Sequence, residues 1–228
     1  MVWDTLARPR DMEGVAELTR DLPVTVVYSH GDWDHVWGTG GLEQPWEEIL
    51  AHRACADRFR RELPDTLKEK VAEDPEAFGD VQLVAPSRTF RNDLTLDLGG
   101  ITLEIHSLPG HTPDSVVGFV PEWRVMLAGD AVETPLPFLN SGSSLGPWVE
   151  GLEAWIDRLE KVAEPSFVIP SHGRIGGPDL LRDNVRYLAA LRGGREPVVP
   201  QDLSRFYRET HADNLTLART PRGLSTHK

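Results

Sequence analysis

Six consecutive residues, His30-Gly31-Asp32-Trp33-Asp34-His35, carry four side chains able to bind a metal ion. A hydrophobic core has no use for such a run. Side chains alternate on extended or looping backbone, so residues 30, 32 and 34 turn to one side while the neighbours Asp34 and His35 diverge. One short loop can therefore feed two adjacent ions. Three further candidates stand where predicted strands end: His111 in LPGHTPDS, Asp130 in MLAGDAV and His172 in VIPSHG, each with a glycine beside it. Glycine permits the close or left-handed backbone that a crowded ion site often needs. Four imidazoles and three carboxylates suit zinc, iron or manganese, and an Asp able to bridge is what a pair of ions requires. The bland alternative, a solvated loop with chance histidines, does not account for the three later pieces.

The elements that must position these side chains are legible from patterning. The β-branched run VTVVY at 24–28 predicts a buried strand, and the polar, Gly-rich stretch 29–41 a loop. Trp46, Ile49, Leu50, Ala54 and Phe59 recur at roughly helical spacing, predicting one helix over 46–63, followed by an acidic stretch at 64–79. Leu94, Leu96 and Leu98 alternate before Gly99-Gly100, and Ile101, Leu103 and Ile105 alternate after it, which predicts a hairpin. Two more strands, 115–120 and 124–128, flank a Pro121-Glu122 turn. A helix opens at Pro147, with Trp148, Leu152, Trp155, Leu159 and Val162 as one apolar stripe. A short strand at 167–169 and a helix opening at Pro178, carrying Leu181, Val185, Leu188 and Leu191, complete the pattern. Helices and strands interleave without repeat or long linker, so residues 1–228 are expected to form one domain with a helical insertion at about 46–79.

Composition narrows the function. Lys and Arg number 24 against 36 Asp and Glu, a net charge of −12, which argues against a nucleic-acid partner. The lone Cys55 cannot close an internal disulfide. No stretch approaches the roughly 20 apolar residues of a membrane span, and the start lacks the pattern of a secretory leader. The expectation is a cytoplasmic protein with a small-molecule substrate and no membrane partner.

HxDxDH, then GHTxxS, then GD, then SHG, in this order, resemble the metallo-β-lactamase superfamily over nearly the whole chain. The resemblance implies an α+β fold, an αββα sandwich with its metals at one edge of the two sheets. It also implies that His30, Asp32 and His111 hold the first ion, that Asp34, His35 and His172 hold the second, and that Asp130 bridges them. The family's usual loop is HxHxDH, so Asp32 is a departure, as in the flavodiiron branch. It makes the first site harder and more anionic, so iron or manganese stand beside zinc, the first expectation for two divalent ions. Val2-Trp3-Asp4-Thr5 resembles the end of a strand that others precede in this family. The first N-terminal strands are thus expected to be lacking, through a late start or a shortened sheet whose edge a second copy would cover as a homodimer.

Paired cations bring a bridging water's pKa toward neutrality and polarise the bond to be cleaved. The expected activity is hydrolysis by that hydroxide of a small ester, lactone or thioester, with Asp34 also orienting the water or passing its proton on. The alternative is a non-catalytic or iron-containing redox relative. Ser29, Ser115 and Ser171 are candidates to fix the imidazoles. The 46–79 stretch and the 135–146 loop are expected to wall the pocket. Cys55 lies before His111, unlike the cysteine ligand of one β-lactamase class. Gly142-Ser143-Ser144-Leu145-Gly146 matches the serine-hydrolase elbow, but Pro135 and Pro137 interrupt the strand it needs, so Ser143 or Ser144 is expected to cap the following helix. His52 with Cys55, His106, His211 with Asn214, the tail residue His227, and Trp33, Trp37 and Trp46 are read as packing or surface features. The acidic run Glu69, Glu73, Asp74, Glu76 is read as a solvated face.

Overall fold

Residues 1–42, 46–161 and 166–220 are described by a computed structural model. Val162 and His227 lie outside them. The chain divides into two units, Met1–Ser107 with Asp114–Trp123, and Leu108–Pro113 with the chain from Arg124 onward.

In the first unit, β1 (Val2–Trp3) leads through a 3₁₀ turn at Pro9–Met12 and α1 (Glu13–Thr19) to β2 (Val24–Tyr28). α2 (Trp33–Val36) and a 3₁₀ turn (Trp37–Gly41) follow. Next come β3 (Trp46–His52), α3 (Arg53–Arg61), α4 (Leu63–Glu73), α5 (Pro75–Phe78) and β4 (Arg88–Phe90). β1 to β4 form a parallel sheet in chain order, with Val2 opposite Val26 and Val26 opposite Ile49. A parallel sheet is covered on both faces, so its strands read as continuous apolar runs. VTVVY fits that rule. Its core holds Val24, Val26, Tyr28, Ile49, Ala51, Cys55, Phe59, Met12 and Trp37. The same unit carries an antiparallel meander of β5 (Leu94–Asp97), β6 (Thr102–Ser107) and β7 (Val116–Val120), joined at its first turn by the predicted Gly99-Gly100 hairpin.

Two expectations fail here. Residues 46–52 are a strand, so the helical segment begins only at Arg53. Trp46, Ile49 and Leu50 stand at helical spacing by coincidence, because a strand packed on both faces also buries neighbours such as Ile49, Leu50 and Ala51. The 29–41 stretch is an extended loop only as far as Asp32, after which Trp33–Gly41 is helical in two single turns. Runs that short display no periodicity.

The second unit holds the parallel pair β8 (Val125–Gly129) and β9 (Phe167–Pro170), with α6 (Leu145–Glu160), α7 (Asp179–Arg192) and α8 (Arg205–Arg219). α6 packs on α7 and α7 on α8. Trp148, Leu152, Trp155 and Leu159 of α6 are buried, as are Leu181, Leu188 and Leu191 of α7, while Val185 of the predicted α7 stripe is half-buried. α8 was not expected, since its buried residues are the polar Thr210 and Asn214. Ser204 starts it by accepting a hydrogen bond from Tyr207 N. No described helix is long and apolar enough to cross a membrane.

Candidate metal centre

In the first unit the site is built from the ends of adjacent parallel strands. Asp4, just after β1, takes a left-handed backbone with φ 58°, which Asp tolerates better than most residues. Its buried carboxylate accepts hydrogen bonds from Ser29 N at 2.7 Å, Ser29 Oγ at 2.7 Å and His35 Nδ1 at 3.0 Å. Ser29 Oγ, its own proton given to Asp4, accepts from His30 Nδ1 at 2.9 Å. Both imidazoles are thereby held as the Nδ1–H tautomer, with an Nε2 lone pair left to bind. The His30 and His35 rings lie 4.1 Å apart between centroids. His30 Nε2 stands 3.5 Å from Asp32 Oδ2, and His35 Nε2 stands 3.8 Å from Asp34 Oδ2.

Arg58 of α3 reaches back to this loop. It donates from Nη2 to Asp32 Oδ1 at 2.6 Å, from Nη1 to Asp114 Oδ1 at 3.1 Å and from Nε to Glu62 Oε2 at 2.8 Å. The other oxygen of Asp114 accepts from Gly31 N at 2.7 Å. Burial works against the charge on Arg58, but Asp114 and Asp32 outweigh it and push its pKa above the usual arginine value. Burial foremost, and then Asp114, drives the Cys55 thiol the same way, which keeps it protonated and unreactive.

In the second unit, Asp130 follows β8 and His172 follows β9, where the parallel pair ends. Asp130 turns one oxygen to each of two imidazoles, Oδ2 at 3.7 Å from His111 Nε2 and Oδ1 at 3.6 Å from His172 Nε2. His111 Nδ1 donates to the carbonyl of Phe138 at 3.0 Å, which again leaves Nε2 as the binding atom. Trp148 braces this half: its Nε1 donates to Ala131 O at 2.8 Å, and its ring meets that of His111 edge-on. A Cβ on Gly110 would come within 2.3 Å of the Trp148 ring, so the residue before His111 has to be glycine. Gly173, beside His172, has φ +111°, and a Cβ there would stand 2.0 Å from Thr134 Oγ1.

All seven predicted ligands belong to groups able to hold a metal ion. The donors, imidazole nitrogens and carboxylate oxygens, are of the types such an ion takes. Two ligands about 2.1 Å from one ion at a tetrahedral angle lie about 3.4 Å apart. The four imidazole–carboxylate separations, 3.5, 3.8, 3.7 and 3.6 Å, are close to that and beyond ordinary hydrogen-bond length.

The supporting residues were less visible than the ligands. Ser29 fixes His30 as anticipated, whereas Ser171 is exposed. Asp4 was read only as the end of a strand, Asp114 only as part of GHTPDS, and Arg58 had no signal at all. Neither serine caps α6: Ser144 stands at its N-cap without a side-chain bond, and Ser143 Oγ donates to His111 O at 2.8 Å. That bond makes Ser143 part of the support of a ligand. His52 caps α3 by accepting from Ala54 N, and His106 bonds Asp93 and Glu104 on the sheet surface. His211 bonds the Tyr187 hydroxyl, and Trp33, Trp37 and Phe78 pack ring on ring. Asp74 leaves the solvated acidic run to cap α5.

Residues 1–186 match the model of the metallo-beta-lactamase superfamily, and the chain belongs to that superfamily. Its fold is the superfamily's α+β sandwich: the metallo-beta-lactamase from Pontibacter korlensis superposes with a TM-score of 0.61 at 22% identity, covering 82% of this chain and 80% of that one. Among curated proteins it is similar to a linear primary-alkylsulfatase from Pseudomonas sp., 24% identical over 58% of this chain and 25% of that protein. It is also similar to the hydroxyacylglutathione hydrolase GloC of Haemophilus influenzae, 31% identical over 54% of this chain and 56% of that protein. The chain thus spans between a quarter and somewhat over half of the length of these two relatives.

Proposed function

We propose that this chain is a metal-dependent hydrolase in which His30, Asp32 and His111 hold one divalent ion, Asp34, His35 and His172 hold a second, and Asp130 bridges the two. Zinc is the first choice, with iron or manganese as the alternatives that Asp32 favours. The observation that carries the reading is Asp130, whose two oxygens each face a different imidazole at ligand spacing. Once bound, such an ion pair would supply an acidified water at neutral pH and would polarise the oxygen of the bond to be cleaved.

The chain's own residues do the rest. Asp4, Ser29 and the Phe138 carbonyl hold three imidazoles in the tautomer whose Nε2 carries no proton, the one a metal ion takes. Asp34, with 27% of its side chain exposed, is positioned to orient a water or carry its proton to the leaving group. The substrate proposed is a small ester, lactone or thioester, and similarity to an acylglutathione hydrolase supports that class. The second reading, an iron-holding redox or ligand-binding relative, draws on the harder donor at position 32. A homodimer and a cytoplasmic setting complete the proposal.

The test is hydrolysis of a lactone, an acylglutathione, a β-lactam, an alkyl sulfate and a phosphodiester by protein loaded with Zn²⁺, Mn²⁺ or Fe²⁺. Turnover of the first two that Asp130→Asn removes supports the reading. Turnover unchanged in that variant refutes the bridge, and turnover of none of the panel by the loaded wild-type protein favours the redox relative.

A further inference from the structure

Asp32 stands where the superfamily's usual loop has histidine, and the exchange raises a geometric problem. An imidazole offers one lone pair to a metal, whereas a carboxylate offers two oxygens and a full negative charge. Left to itself, an aspartate in that place can swing, chelate through both oxygens, or repel the neighbouring carboxylates. The surroundings of Asp32 address each of these. Arg58 Nη2 takes Asp32 Oδ1 at 2.6 Å, so that only Oδ2 faces His30 Nε2. Arg58 is itself fixed on both sides: Nη1 bonds Asp114 Oδ1 at 3.1 Å and Nε bonds Glu62 Oε2 at 2.8 Å, with 19% of the side chain exposed. Asp114 also bonds Gly31 N, the backbone between His30 and Asp32. The planar fork of arginine thus reads two carboxylates around one loop, a task the point charge of lysine cannot match.

We infer that Arg58 is a positioning residue for the first metal position: by occupying one oxygen of Asp32 and offsetting its charge, it makes the carboxylate a one-atom donor in place of an imidazole. The inference rests on the metal-site reading above and adds to it a dependence between positions 32 and 58. In a chain with histidine at position 32, Arg58 keeps Asp114 and Glu62 but has no ligand oxygen to occupy, and its loss should matter little to the ion.

The experiment titrates the metal-free full chain with Co²⁺ and follows its visible absorption, which reports affinity and coordination number without turnover. Four further proteins are compared with wild type: Arg58→Met, Arg58→Lys, Asp32→His and the double variant Asp32→His with Arg58→Met. Circular dichroism confirms that each is folded. Arg58→Met should weaken the first Co²⁺ about 10- to 100-fold, as loss of partners of metal ligands typically does. It should also lower the intensity of the cobalt band, as a second Asp32 oxygen joins the ion. Arg58→Lys, which keeps the charge and disturbs packing less, should still lose affinity. With histidine at position 32, removing Arg58 should change affinity by less than about threefold, well under that range. Equal losses in both backgrounds, or none in either, would overturn the role of Arg58 while leaving the metal site standing. A wild-type chain that takes up no Co²⁺ would overturn both.

Discussion

At the residue scale, the metal site depends on side chains that are not themselves ligands. Asp4 is the clearest case, since one carboxylate accepts from Ser29 twice and from His35 once, and so sets the tautomer of two imidazoles. Asp4→Asn keeps the shape but exchanges one acceptor for a donor, and should weaken metal binding about 10- to 100-fold with the fold intact. Isothermal titration of the metal-free protein measures this, and unchanged affinity would remove Asp4 from the account. Asp32→His should shift preference toward zinc over manganese, and competition titration with the two ions reads the ratio; an unmoved ratio would place residue 32 away from the ion. The ligands were legible because metal chemistry requires particular residue types, and His30, Asp32, Asp34 and His35 stand within six positions. Arg58 was not, because nothing in a helix sequence reveals that one arginine reaches a loop 26 residues earlier.

At the element scale, the loop that presents the Phe138 carbonyl to His111 is tied down from a distant helix. Asn214 of α8 accepts from Leu139 N at 2.9 Å and donates to Pro137 O at 2.7 Å. Asn214→Ala leaves two buried backbone groups unsatisfied and should cost about 1–3 kcal/mol for each, read by urea denaturation; a cost below about 0.5 kcal/mol, within the range of surface substitutions, would mean that α8 does not hold the loop. Tyr187, between Asn214 and His211, has its hydroxyl pKa pushed up to about 12 by burial. The folded state therefore keeps a proton that the unfolded chain loses near pH 10, so the stabilisation is full below about pH 10 and fades toward pH 12. Melting temperature against pH should fall more steeply over that window than in Tyr187→Phe, and parallel curves would refute the linkage. α6 and α7 were readable since their buried faces are apolar and periodic. α8 was not, because Thr210 and Asn214 are what it buries, and β3 was mistaken for helix because a strand buried on both faces carries no alternation.

At the scale of the whole molecule, ions that bind only the folded chain must stabilise it. With free ion at about 100 times its dissociation constant, the gain is about 2.7 kcal/mol per site. A chelator should therefore lower the melting temperature of wild-type protein, and lower it less in Asp130→Asn, where one site is already impaired. Equal shifts would separate Asp130 from metal binding. The most direct test counts ions: elemental analysis of the protein loaded with Zn²⁺ or Mn²⁺ and freed of excess by gel filtration. Two tightly held ions per chain are the expected result. Fewer than one per chain, after loading with either metal, would contradict it.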